Sequence, residues 1–347
     1  MYNHRHLDLA ALAANYHFLR EAGQLPLYAV VKANAYGHGA ANCAAVLWEA
    51  GCKRFAVCSL AEAQGLRTLL PDAELLLLSP TPPNAAEALA AGHFTQCVGS
   101  LAYAKALNQA LPAPLAVHFQ VDSGMHRLGF PPTEAGMEAL LAAARLPHLQ
   151  PDGFCSHFAS SETIPLQAAA AQRMGTELTS RGCAFRMRHI AATDALGFVG
   201  TFWNARRIGL ALYGYGCDGV RPVLSLTSEV VALHTVEAGE AVGYGGAWRA
   251  RRHSRIATLP IGYADGLPRA AERGGVWYHD TFLPFAGHIC MDLCMVDATD
   301  CPDLTVGAKI TLCDAQHPLS LLADAAQTIP YELLCAFSRA RADETTA

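Results

Sequence analysis

Charge is scarce in this sequence. Charged residues make up 16% of its 347 positions and apolar ones 52%. That balance excludes a disordered, self-repelling chain and leaves enough material for a large core. There is no Lys/Arg run and the net charge is −5, so a nucleic-acid surface is not expected. Apolar runs of about 18 residues are missing, so no membrane span is expected. The opening stretch "MYNHRHLDLAALAANYHFL" lacks the apolar core and small-residue cleavage site of a signal peptide, and the expected location is cytoplasmic. It reads instead as Asp8 capping an amphipathic helix, with Leu9, Leu12, Tyr16 and Leu19 along one side. Internal repeats and low-complexity segments are absent too. Cysteine is not scarce, at twelve residues, but no paired CxxC signature accompanies it. Most cysteines sit in apolar runs, such as Cys58 in "RFAVC" and Cys335 in "YELLCAF". The expected state is reduced, buried thiol, with structural zinc a poor second.

What is present is a rhythm. Short apolar runs alternate with helical patterns through the first two-thirds. "PLYAVV" precedes a helix from Ala40 to Ala50, "RFAVC" one from Leu60 to Leu70, and "ELLLL" precedes "PNAAEALAAG". "FTQCV" precedes "LAYAKALNQAL", "LAVHFQV" a helix from Thr133 to Ala144, and "GFCS" one from Ile164 to Arg181. "FRMRHI" and "RRIGLALYG" close the series. About eight strand–helix units specify a parallel sheet with crossover helices. No Gly-rich dinucleotide turn follows the first strand of the series, which favours a closed (β/α)8 TIM-type barrel over a doubly wound α/β sheet. After Arg221 the pattern turns to β-rich runs punctuated by Gly, Pro and Asp, with one short helical stretch from Ser320 to Ala326. The expected division is a barrel over residues 1–222 and a mostly β domain over 223–347.

In a parallel barrel, function gathers at the C-terminal ends of the strands. Lys32 ends the first strand of the series and Arg127 follows the fifth, in "VDSGMHRLG". His157 follows the sixth, Thr193 the seventh, and Arg207 begins the eighth unit. An amine in cationic company is favoured in its neutral, nucleophilic form. Arginines and a hydroxyl suit phosphate or carboxylate groups. A lysine that condenses with an aldehyde, beside phosphate binders, points to pyridoxal phosphate (PLP).

The stretch "AVVKANAYGHG" resembles the cofactor-lysine motif of the alanine racemases. "VDSGMHRLG", "SHFASSE", "GLALYG", "IGYADGLPR…GHICMDLCMVD" and "TIPYELLC" match that family in order, over nearly the whole chain. The resemblance implies that Lys32 holds PLP through its amine and acts as one catalytic base. Tyr263 would be the opposing base, supplied to the partner subunit's active site in a homodimer. Arg207 would face the pyridine nitrogen, and His157 would lie on or near the ring. Tyr36, Thr193, Tyr331 and the backbone of Gly209 and Leu210 would hold the phosphate. Arg127 and the Met291 N–H would bind the carboxylate of a small amino-acid substrate. The implied activity interconverts L- and D-alanine, supplying D-alanine for the cell wall.

Several positions depart from the family pattern. Gln120 stands where many relatives carry a carbamylated lysine, and the expectation is that its carbonyl holds Arg127. Ala192-Thr193 replaces the usual Asn-Ser pair. Glu162 and His288 replace the usual aspartate and arginine near the entrance, and leave the substrate side chain open. The tail "SRARADETTA" lacks the usual basic-aromatic ending. Three other readings stay open: a racemase of serine or a basic amino acid, a non-catalytic PLP-binding barrel, and a decarboxylase on the same plan. The β domain with Tyr263 and "ICMD" argues against the last two.

Overall fold

The computed structural model describes residues 1–198 and 200–347. Strand β1 (Asn3–Leu7) comes first, and the Asp8-capped helix Leu9–Gly23 follows it. Asp8 Oδ1 accepts from the Ala11 N–H at 2.7 Å, and Leu12, Tyr16 and Leu19 are buried. Eight parallel strands then form one sheet: β2 (Leu27–Val30), β3 (Arg54–Val57), β4 (Glu74–Leu77), β5 (Thr95–Val98), β6 (Leu115–Gln120), β7 (Leu149–Cys155), β8 (Met187–His189) and β9 (Arg206–Ile208). β2 pairs with both β3 and β9, and a parallel bridge from His189 to Ala205 closes the circle. The fold is therefore the expected (β/α)8 barrel. Hydroxyls cap three of its helices. Ser59 and Glu62 form a capping box, Ser100 accepts from the Tyr103 N–H, and Thr133 accepts from the Gly136 N–H.

The second half is mostly β. It contains β10 (Leu224–Glu229), β11 (Ala232–Val236), β12 (Ala241–Val242), β13 (Trp248–Arg249), β14 (Ser254–Leu259), β15 (Gly275–Tyr278), β16 (Thr281–Pro284), β17 (Cys294–Asp297), β18 (Lys309–Cys313) and β19 (Asp343–Thr346). Six strands form one sheet in the order β16-β15-β18-β10-β1-β19, and β11-β14-β17 form a second. β1 thus lies between β10 and β19, in the sheet of the second half, although it precedes the barrel in the chain. Its alternation of buried Asn3, Arg5 and Leu7 with half-buried His4 and His6 suits a strand with one covered face. One helical stretch was expected here, and the structure has two, Ser320–Ala325 and Pro330–Phe337. The second starts on Pro330, whose missing N–H costs nothing in the first turn.

One continuous apolar core joins the barrel to the β half. All twelve cysteines are free thiols and none is exposed. Among the described residues, no helix is long and apolar enough to cross a membrane.

Candidate active site

Lys32 leaves the end of β2 on an unusual turn. Ala33, Asn34, Ala35 and Tyr36 all adopt left-handed backbone angles, with φ between 52° and 56°. Each such residue costs about 1–2 kcal/mol, less for Asn. The two alanines and Tyr36 carry a Cβ and bear that cost in full, so surrounding contacts must hold the turn. The turn is held by Glu62 and Arg5 from outside and by its own Asn34. Glu62 Oε1 accepts from the Ala33 N–H at 2.7 Å, Asn34 Oδ1 accepts from the Ala40 N–H at 2.8 Å, and Arg5 donates to the Gly37 carbonyl. The other oxygen of Glu62 accepts from the Cys58 and Ser59 amides, so one carboxylate ties two strand ends together. Sequence reasoning missed Glu62, whose only signal was its capping spacing from Ser59.

Arg207 lies on β9, where successive side chains face opposite ways. It is buried, and none of its hydrogen-bond partners is a carboxylate. It donates to the Ser156 carbonyl at 2.7 Å, the His189 carbonyl at 3.1 Å, the Ile190 carbonyl at 3.3 Å and His157 Nδ1 at 3.3 Å. It also donates to His189 Nδ1, which fixes two tautomers. His189 must carry its proton on Nε2, which meets His118 Nδ1 at 2.7 Å. His118 must then carry its proton on Nε2, which donates to Asp152 Oδ2 at 3.2 Å. Burial pushes the Asp152 carboxyl up, but hydrogen bonds from His118 and Arg186 outweigh it and hold the group below the usual carboxylate range. A polarised chain thus runs through the barrel interior from Arg207 to Asp152. None of its inner members was singled out from sequence.

His157 reports how the mouth is charged. Burial, then Arg207, Arg127 and Lys32, push its imidazole down to about 3. Cationic groups from a strand, a strand-end turn and a loop therefore act on one neutral ring. Arg127 itself is exposed, on a loop closed by Asp122, which accepts from the Gly124 and His126 amides. The expectation that Gln120 holds Arg127 is not met. No hydrogen bond joins them among the described residues, although both line one shallow crevice with His157.

An anion cradle lies beside the cations. A short 3₁₀ turn, Leu210–Tyr213, follows β9, and such a turn leaves its leading N–H groups without internal partners. The Ala211 N–H donates to buried Thr193 Oγ1 at 3.2 Å. A Cβ added to Gly209 would meet Tyr36 Oη at 2.3 Å, so the tyrosine hydroxyl sits directly over this backbone. The Tyr36 ring lies 4.9 Å from that of Tyr213 and 5.8 Å from that of Tyr331, which comes from the helix Pro330–Phe337. Hydroxyls, free-facing amides, an amine and two guanidiniums suit a phosphate-bearing aldehyde. The residues present fit PLP.

Tyr263 and Met291 lie elsewhere. Both are on the β half and exposed, at 44% and 54%. Their loops are zipped together: the Tyr263 N–H donates to the Cys290 carbonyl at 3.0 Å, and the Ala264 N–H to the Met291 carbonyl at 3.0 Å. No hydrogen bond joins this pair to the barrel mouth among the described residues. At the positions expected near the entrance, Glu162 is exposed, and His288 Nδ1 meets Glu272 Oε2 at 2.5 Å.

Fold and mouth together define a (β/α)8-barrel protein with a cationic, lysine-bearing anion pocket and a β domain joined to it. Comparison with known proteins narrows this class. Residues 7–216 match the model for the N-terminal domain of alanine racemase, and residues 223–344 match that for its C-terminal domain. The chain belongs to the alanine racemase family. It is 32% identical to alanine racemase 1 of Clostridium acetobutylicum, over 96% of this chain and 92% of that one. The crystal structure of the biosynthetic alanine racemase of Pseudomonas aeruginosa superposes with a TM-score of 0.91, at 31% identity and 99% coverage of both chains. That of Bartonella henselae, with covalently bound pyridoxal phosphate, gives 0.90 at 29% identity, over 100% of both.

Proposed function

We propose that this chain is a PLP-dependent alanine racemase that works by two bases, Lys32 and Tyr263 of the partner subunit. The observation that carries the site assignment is that Arg207 donates to His157 Nδ1, Arg127 lines the same crevice as His157, and Lys32 stands at the end of β2, the strand that pairs with the strand of Arg207. Bound in the mouth, PLP supplies an electron sink that acidifies the α-proton of an amino acid joined to it. Lys32 Nζ removes or returns that proton on one face, and Tyr263 Oη does so on the other. Arg207 keeps its charge and can only donate, so it discourages protonation of the ring nitrogen. Its chain to Asp152 keeps both histidines neutral and the guanidinium fixed. His157, neutral throughout the working range, packs by the ring without adding charge. Tyr36, Thr193, Tyr331 and the amides of Gly209 and Leu210 hold the phosphate. Arg127 and the Met291 N–H take the substrate carboxylate.

The working unit in this reading is a cytoplasmic homodimer with shared sites. The exposure of Tyr263, Met291 and Leu293 on one half supports it, because bases and anchors facing solvent need a second surface to act on. The division near residue 222 is kept, with β1 added to the β half.

The test is proton NMR in heavy water, with purified protein, PLP and a mixture of L-alanine, L-serine, L-lysine and L-arginine. The alanine α-proton signal is expected to vanish first. Loss confined to serine or the basic amino acids moves the assignment to another racemase. No loss with PLP demonstrably bound overturns the enzyme reading.

A further inference from the structure

The tail that departs from the family pattern holds the β-half loops together. Arg341 Nε donates to Asp265 Oδ1 at 2.7 Å and its Nη2 to Asp265 Oδ2 at 2.8 Å. Nη2 also lies 2.8 Å from Asp292 Oδ1. The Arg341 backbone N–H adds a further bond to Asp265 Oδ1 at 3.2 Å. Asp265 is wholly buried, two residues after Tyr263, and its Oδ2 also accepts from the Gly262 N–H at 3.0 Å. Asp292 immediately follows Met291. One guanidinium therefore spans the tyrosine loop and the methionine loop.

The tail is itself anchored. β19 pairs in parallel with β1. From β1, Asn3 Nδ2 donates to the Arg341 carbonyl at 3.3 Å and to the Pro260 carbonyl at 2.9 Å, just before the tyrosine loop. Arg5 joins Glu344 of the tail to the Gly37 carbonyl of the lysine turn. The planar, forked head of arginine suits two carboxylates at once, which a lysine cannot match.

We infer that Arg341 is a positioning residue: by bridging Asp265 and Asp292 it sets Tyr263 and the Met291 amide in one register, ready to face the partner subunit's lysine. This rests on the two-base reading above. It adds that the tail sets the geometry of the second base.

The test uses holoenzyme of wild type, Tyr263→Phe, Arg341→Ala, Arg341→Lys and Asp292→Ala. Wild-type racemisation and its loss in Tyr263→Phe establish the underlying reading first; failure there sinks that reading and not this one alone. Arg341→Ala is expected to lower kcat/KM on the order of 10²-fold, the effect of a misplacement of about 1 Å, with the bound-cofactor absorbance unchanged. α-Proton exchange from L-alanine should fall more than exchange from D-alanine, in the sense of Tyr263→Phe. Arg341→Lys should recover part of the loss. A fold merely weakened would lower both exchanges alike, and that result overturns the inference. So does an Arg341→Ala rate within about twofold of wild type, the scatter of independent sites. If Arg341→Ala does not fold, Asp292→Ala removes only the exposed limb. It should cost about tenfold, as for one charge-assisted hydrogen bond, and an unchanged rate overturns the proposal.

Discussion

The barrel mouth and the β-half loops are built in opposite ways. At the mouth, Arg207 is buried, its donors are matched to carbonyls and imidazoles, and a hydrogen-bonded chain reaches Asp152 through the barrel interior. On the β half, Tyr263 and Met291 stand exposed, fastened from behind by a tail arginine. The first region is ordered by the core around it and suits a cofactor that stays. The second is ordered only at its base and suits a surface completed by another chain. Pre-organisation is thus complete for holding the cofactor, and half complete for moving protons.

The largest expected effects break this comparison at its two bases. Lys32→Ala removes anchor and base together. Activity should fall on the order of 10⁴-fold or more, and the absorbance of the lysine-bound cofactor should vanish. Tyr263→Phe should leave that absorbance intact and cost about 10²–10⁴-fold in turnover, because only a proton-transfer group is lost. Cofactor loss in Tyr263→Phe would erase the distinction between the halves. Full turnover in that variant would exclude Tyr263 as a base.

Acid should separate the halves next. An unfolded histidine takes up its proton below about 6.5. In the folded chain burial pushes His38 down to about 4, and burial and three cations push His157 down to about 3. Between pH 6.5 and about 4 the unfolded chain binds more protons, so stability falls as pH falls. The slope is roughly 1.4 kcal/mol per pH unit for wholly buried His38, and less for His157, which is partly exposed. In the β half the relevant group is Asp265. Burial raises it, but bonds from Arg341 and the Gly262 amide outweigh that and hold it low. Its contribution is present above the ordinary carboxylate range and lost only as pH falls below that range, so it persists through this window. Hydrogen exchange at pH 7 and pH 4.5 should show barrel amides losing protection first. Equal loss in both halves would contradict this account.

Much of this was legible in the sequence because barrel strands announce themselves. Runs such as "ELLLL" and "RFAVC" are apolar on both faces, and Ser59, Ser100 and Thr133 mark where three of the helices start. Lys32, Arg127, His157, Thr193 and Arg207 could be placed at one rim from strand order alone. β1 was not legible, because only its pairing with a strand more than two hundred residues away decides which half it joins. Neither was the left-handed turn after Lys32: "ANAY" carries no glycine, and Glu62 and Arg5 hold the geometry from outside while Asn34 closes it on Ala40. The helix over "PYELLCAF" was hidden by its length, too short for a clear 3.6-residue period. Gln120 misled because spacing gives proximity to Arg127 and says nothing of rotamer.

Glycine gives the smallest and most selective test of the comparison. Gly209 has φ of −117° and ψ of −86°, outside the regions alanine prefers, so a change there adds backbone cost to the loss of space. Its new methyl would lie 2.3 Å from Tyr36 Oη, and Tyr36 is packed against Tyr213 and Tyr331 and cannot simply withdraw. Overpacking of this kind costs about 1–3 kcal/mol. Gly209→Ala should therefore fold and release PLP more readily on dilution. Gly262 is extended, with φ of −152°, which alanine adopts, and its new methyl would meet the Cys290 and Met291 carbonyls at 2.4 Å. Gly262→Ala should keep PLP and lose turnover, since the methyl pries apart the two loops that Arg341 holds. Gly65→Ala, with nothing within 4 Å of its new methyl, is the control that should do neither. If Gly262→Ala released PLP as readily as Gly209→Ala, cofactor holding would not belong to the barrel mouth alone, and the division of labour between the halves would have to be redrawn.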